Sequence, residues 1–132
     1  MKPKDSQYWE DWRRIAEKDF GRAHFLLQAE DVEAAGFYLQ QALEKFLKAF
    51  LLKKGWRLRR IHDLESLLND AIFYDNSFES FRAVTQKVTA FYFIERYPLM
   101  SPASIDLEDV RNGLADANPM IQKIRKHLDD RN

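Results

Sequence analysis

The residues of this chain best suited to chemistry are cations interleaved with aromatic rings. Between Lys45 and His62 seven basic side chains occur with no acid: Lys45, Lys48, Lys53, Lys54, Arg57, Arg59 and Arg60. The whole chain balances 21 Lys plus Arg against 21 Asp plus Glu, so this stretch holds +7 and the remainder −7. A neutral protein with charge segregated in this way still presents a local positive field to phosphate. Trp56 lies inside the run and offers a ring on which a base can stack. Part of the run has a plainer explanation. Lys53 and Lys54, with Lys48, fall near the C-terminal end of a helix, where cations favour the macrodipole. Arg57, Arg59 and Arg60 lie past Gly55 and escape that account. Farther along, Arg96 and Tyr97 stand before Pro98. An arginine grips phosphate with two parallel hydrogen bonds, and a tyrosine stacks or donates its hydroxyl. The structural alternative is that Tyr97 closes the core while Arg96 pairs with an acid such as Glu95. The candidate nucleotide- or phosphate-binding set is therefore Lys45, Lys48, Arg57, Arg59, Arg60, Arg96 and Tyr97.

Catalysis would ask more of these residues. Metal-free cleavage of RNA needs a base to take the 2′-hydroxyl proton and a donor to steady the charge on the phosphorane. Histidine suits the first task and arginine the second, which makes His62 and Arg96 the candidate pair. His62 serves only if the fold brings it to a substrate that Arg96 also holds. Its structural alternative is to orient the third helix, with Asp63 as cap. Other chemistries drop out. There is no cysteine, which excludes disulfides, thiolate zinc sites and thiol nucleophiles. His24, His62 and His127 are too scattered for a metal site, and no glycine-rich phosphate loop occurs. No metal and no cofactor are expected. The enzyme options narrow to endoribonuclease or none, and the balance leans to none.

These residues must be positioned by helices. The chain has few breakers, 4 Gly and 4 Pro in 132 residues, and Gly55, Pro98 and Pro102 fall where helices should end. A first helix is expected from a cap at Asp5 or Ser6, with Trp9, Trp12, Ala16, Phe20, Ala23 and Leu27 as its apolar stripe. Asp31 caps a second helix that runs to Lys54 and stops at Gly55, the residue suited to a left-handed turn. That second helix carries two apolar rows, Ala35-Leu39-Ala42-Phe46-Phe50 and Leu43-Leu47-Leu51, and only a narrow polar edge, Gln40, Glu44 and Lys48. So wide a stripe marks a central element packed by several neighbours. Asp63 caps a short third helix, and Ser77 opens a fourth with Phe78, Phe81, Val84, Val88 and Phe91. Tyr97-Pro98 breaks it. A final helix starts near Asp106, and Asn118-Pro119 is expected to kink or split it. No strand-like alternation appears. The fold class is all-α, an antiparallel up-and-down bundle of four to five helices, in one domain spanning residues 1–132. No apolar run approaches the ~18 residues of a membrane span, and the N-terminal residues hold no signal core. A cytoplasmic protein is expected.

The stretch from Phe37 to Ala49, with Gln40-Gln41-Ala42-Leu43-Glu44-Lys45 at its centre, resembles the core signature of HEPN domains (higher eukaryotes and prokaryotes nucleotide-binding). Ile61-His62-Asp63-Leu64 resembles a second family motif, and Glu95-Arg96-Tyr97-Pro98 a third. The three, in order behind an Ala-Glu-Lys-Asp helix at residues 16–19, cover nearly the whole chain. The resemblance implies a helical bundle that commonly forms homodimers and binds nucleotide or RNA. It also implies, as partner, a minimal nucleotidyltransferase in a toxin–antitoxin-like pair. RNA-cleaving members use an arginine followed, after four to six residues, by a histidine. Arg96 matches that arginine, but Ser101, Pro102 and Ala103 stand where the histidine is due. Arg57 and His62 have the spacing, yet they lie in the loop before the third helix. This departure favours a binding protein, with a ribonuclease toxin using Arg96 and His62 as the alternative.

Overall fold

The computed structural model describes residues 6–96 and 105–131, and for residues 93–96 the backbone alone. Within those residues every regular element is helical. The order is α1 (Trp9–Gln28), α2 (Val32–Lys53), α3 (Leu64–Tyr74), a 3-10 helix (Asn76–Phe81), α4 (Arg82–Arg96) and α5 (Leu107–Asp129). The all-α bundle expected from the sequence is the architecture found.

Side-chain pairings fix the directions. Trp9 meets Lys53, Trp12 meets Lys48, Asp19 meets Lys45 and Arg22 meets Tyr38. Numbers rising on α1 as they fall on α2 mean antiparallel helices. Arg13 with Asp129 and Glu17 with Arg125 set α1 antiparallel to α5. Lys87 with Asp116, and Phe91 beside Gly113, set α4 antiparallel to α5. The chain therefore runs up, down, up and down through α1, α2, α4 and α5, with short α3 between the second and third members.

Helix α2 is the centre and touches each of the other four α-helices. Its two apolar rows are buried throughout: Leu39, Leu43, Phe46, Leu47, Phe50 and Leu51 are all inaccessible. Each such side chain contributes roughly 1.5–3 kcal/mol of hydrophobic stabilisation. Ala35, Ala42 and Ala49, also inaccessible, keep the helix slim where neighbours press on it. Asp31 caps α2 through the Ala34 amide, and Gly55 ends it at φ 94°, the left-handed turn its sequence position called for. Phe91 of α4 wedges toward α2 and α5 because two glycines admit it. A Cβ at Gly36 would stand 2.9 Å from Phe91 Cβ, and one at Gly113 would stand 2.6 Å from Phe91 Cε2.

Three expectations are adjusted. Of the two caps proposed for α1, Asp5 lies outside the described residues and Ser6 precedes the helix, which begins at Trp9. Ser6 is buried; its hydroxyl donates to Asp11 and its carbonyl accepts the Trp12 indole N–H. The fourth helix opens as a 3-10 turn because Asp75 accepts from both the amide and the hydroxyl of Ser77, tightening the chain there. Pro119 does not split α5, which is one helix from a capping box at Asp106 and Asp109 to Asp129. Pro119 is exposed, so the carbonyl it orphans one turn earlier faces water rather than the core. Among the described residues no helix is long and apolar enough to cross a membrane.

Candidate functional site: a polar cleft beside the central helix

The narrow polar edge of α2 does not face bulk solvent. Gln40, Glu44 and Lys48 are 4%, 5% and 1% exposed, the only long polar side chains of α2 that are fully buried. They sink into a cavity of about 840 Å³ between α1, α2, the start of α3 and α4. That volume lies within the ~300–1,000 Å³ of small-molecule sites. Trp12 and Ile15 of α1 form one wall, and Gln41 and Lys45 join the α2 row. His62, Asp63 and Leu64 close the α3 side, with Thr89 and Tyr92 of α4 opposite. Burying so much polarity beside an apolar core costs energy unless every group finds a partner. Here they do, for no buried side-chain polar atom among the described residues lacks a hydrogen bond.

The centre is a three-group cluster. Lys48 Nζ donates to Glu44 Oε2 at 3.0 Å, and His62 Nδ1 lies 3.0 Å from the same oxygen. Lys48 Nζ is also 3.3 Å from His62 Nδ1 and 5.0 Å from the centre of the Trp12 ring. Spacing of four along α2 sets the Glu44–Lys48 pair. The Asp63 cap, which accepts from the Glu65 amide, starts α3 where His62 must meet that pair. Lys45 Nζ donates to Asp19 Oδ2 at 2.5 Å; Asp19 is 1% exposed and shared with Arg22. The Tyr92 ring is held by stacking on Phe37, with centroids 5.6 Å apart and planes 20° apart. The Gln41 side-chain amide donates to Gln40 Oε1 at 2.7 Å.

The other candidate cations lie elsewhere. Arg57, Arg59 and Arg60 do not line the cavity. Arg59 donates to Asp70 of α3 at 2.5 Å, and Trp56 donates its indole N–H to the same carboxylate. Trp56 is buried, with the Arg59 guanidinium 5.7 Å from its ring centre. The loop is thus tied against α3. Lys53 is committed as well: its ammonium donates to the carbonyls of His127, Leu128 and Asp130, capping the end of α5. Arg57 is exposed and forms no ion pair with another described residue. Arg96 is the last residue of α4. Its side chain, like all of Tyr97, lies outside the described residues.

Of the sequence candidates the structure therefore brings together Lys45, Lys48 and His62, and separates Arg57, Arg59 and Arg60 from them. Sequence reasoning passed over Trp12, Gln40, Gln41, Asp63, Thr89 and Tyr92 as site residues. One signal for them was present: a polar row on a helix otherwise apolar nearly all round.

A bundle of this topology, with a polar cleft sunk beside its central helix, defines a class of helical proteins that can receive a small polar and aromatic ligand. The HEPN domain family model matches residues 9–127, and the chain belongs to that family. Membership brings a nucleotide- or RNA-related function. The crystal structure of TT1696 from Thermus thermophilus superposes with a TM-score of 0.81, covering 91% of this chain and 98% of that one at 24% identity. That likeness establishes the fold. No curated protein matches the chain.

Proposed function

We propose that the chain is a nucleotide- or RNA-binding protein whose ligand occupies the α1–α2–α4 cleft. One observation carries this reading. Two of the three motifs on which the family resemblance rests, Gln40 to Lys48 and His62 to Leu64, line the same cavity, and the third begins one turn past Tyr92. The resemblance supports a homodimer that works with a minimal nucleotidyltransferase in a toxin–antitoxin-like pair. Isothermal titration with nucleosides, nucleotides and single-stranded RNA at low salt tests the ligand. Saturable binding that Tyr92→Ala weakens at least tenfold is expected, and no binding by any of these sinks the reading. Analytical ultracentrifugation tests the dimer.

A ribonuclease is the second reading. Its support is the Glu44 carboxylate 3.0 Å from His62 Nδ1, which orients the ring and leaves Nε2 without a partner among the described residues. An oriented histidine of this kind can act as a general base. On this reading purified protein cuts RNA, and His62→Ala and Arg96→Ala each lower the rate 100-fold or more. Intact RNA after prolonged incubation with wild type excludes it.

A further inference from the structure

The charges of the cleft say which part of a nucleotide belongs in it. Among the described residues, four side chains of fixed sign line the cavity: Lys45 and Lys48 against Glu44 and Asp63. They cancel before His62 is counted. Each ammonium already donates to a carboxylate, Lys48 to Glu44 and Lys45 to the buried Asp19, so its charge is compensated before any anion arrives. A triphosphate reaching either lysine would also approach the carboxylate which that lysine already neutralises, and escaping that repulsion would mean pulling the pair apart. Breaking a buried pair leaves an uncompensated charge, among the costliest events in a protein interior. What the cleft does offer suits an uncharged, flat, hydrogen-bonding group. The Tyr92 ring is already fixed by Phe37, so it provides a rigid platform at little entropic cost. The Gln40 and Gln41 amides and the remaining lone pairs of the Glu44 and Asp63 carboxylates supply the donors and acceptors that base edges and ribose hydroxyls require.

We infer that the cleft takes the base and ribose of a nucleotide and leaves its phosphates outside. This rests on the proposed ligand class and narrows it. The same chemistry is presented by a free nucleoside and by a nucleotide splayed out of a single strand.

The test is a titration series on the full chain: the four ribonucleosides, their 5′-monophosphates and 5′-triphosphates, and a single-stranded oligoribonucleotide, each at 50 and 300 mM salt. The preferred nucleoside and its triphosphate should bind within threefold of one another, and nucleoside affinity should change less than twofold with salt. Lys45→Gln should alter nucleoside and triphosphate affinities by the same factor. Circular dichroism confirms that the variant is folded, and Thr89→Tyr, which narrows the cleft from an exposed position, serves as a second probe expected to weaken both ligands alike. If the oligoribonucleotide binds and the nucleoside competes with it, the source is a strand. If only the nucleoside binds, the source is free nucleoside. A triphosphate that binds tenfold or more tightly than its nucleoside and loses that advantage at high salt overturns the inference while leaving nucleotide binding standing. Failure of every ligand overturns both.

Discussion

Lys48 shows how one position can serve the core and the cleft together. Its ammonium is almost fully buried, bonded to Glu44, close to His62 and above Trp12. Removing one member of such a pair strands the other, at a typical cost of about 3 kcal/mol. Lys48→Met should therefore lower the unfolding free energy measured in urea by that amount, whereas Glu44→Gln combined with Lys48→Met should recover much of the loss. Equal destabilisation by the single and double variants would show that the pair is not coupled. Individual residues were unevenly legible in the sequence. Lys48 stood out as a cation four residues after a glutamate, but its burial did not, because burial depends on α1 and α4 roofing that edge. Arg59 counts among the phosphate-binding candidates in the sequence, since nothing local ties it to Asp70 eleven residues on. The pairing exists only because Gly55 turns the loop back along α3. Asp19 gave no sign of its pairing, for its partner Lys45 is on the next helix.

Among the elements, α4 is seated by what α2 and α5 lack. Gly36 and Gly113 leave room for Phe91, and a methyl group at 113 would stand 2.6 Å from its ring. Gly113→Ala would favour helix by intrinsic propensity, yet crowding should dominate and destabilise by about 1–3 kcal/mol. Thermal denaturation checks the sign; a raised melting temperature would mean that Phe91 has other places to go. Exposed Gly21 of α1, with nothing near its would-be Cβ, is the control, and Gly21→Ala should stabilise by up to about 1 kcal/mol. Helices were the most legible level. Asp31 and Asp63 cap where their sequence positions said they would, and the last helix starts at Asp106 as expected, because capping is decided within a few residues. The 3-10 start of the fourth helix was not foreseen. There two acceptor bonds from Asp75 overrule an apolar period that reads as continuous helix.

Across the whole molecule, Asp75 ties the middle of the chain to its end. It accepts from Ser77 and also meets His127 at 3.1 Å and Lys123 at 3.6 Å on α5. The hydrogen bond from the Ser77 hydroxyl, aided by the Ser77 amide, His127 and Lys123, lowers its pKa from 3.8 to about 2 despite some desolvation. A depressed carboxylate pKa stabilises the fold in full above the ordinary value, and the benefit fades as pH falls toward 2. Wild type should thus lose stability between about pH 4 and 2 more steeply than Asp75→Asn does. The variant should be the less stable near neutrality, and the two should converge in acid. Parallel melting curves across that range would refute the assignment. Arg13 likewise holds the Asp129 carboxyl below its usual range at the α1–α5 contact.

Each of the three tryptophans lies beneath a cation, but only Trp12 borders the cleft, with the Lys48 ammonium 5.0 Å from its ring centre. Its emission is accordingly an internal optical gauge of occupancy. With Trp9 and Trp56 changed to phenylalanine, a guest entering the cleft would announce itself by a change in intensity or colour, without any attached dye.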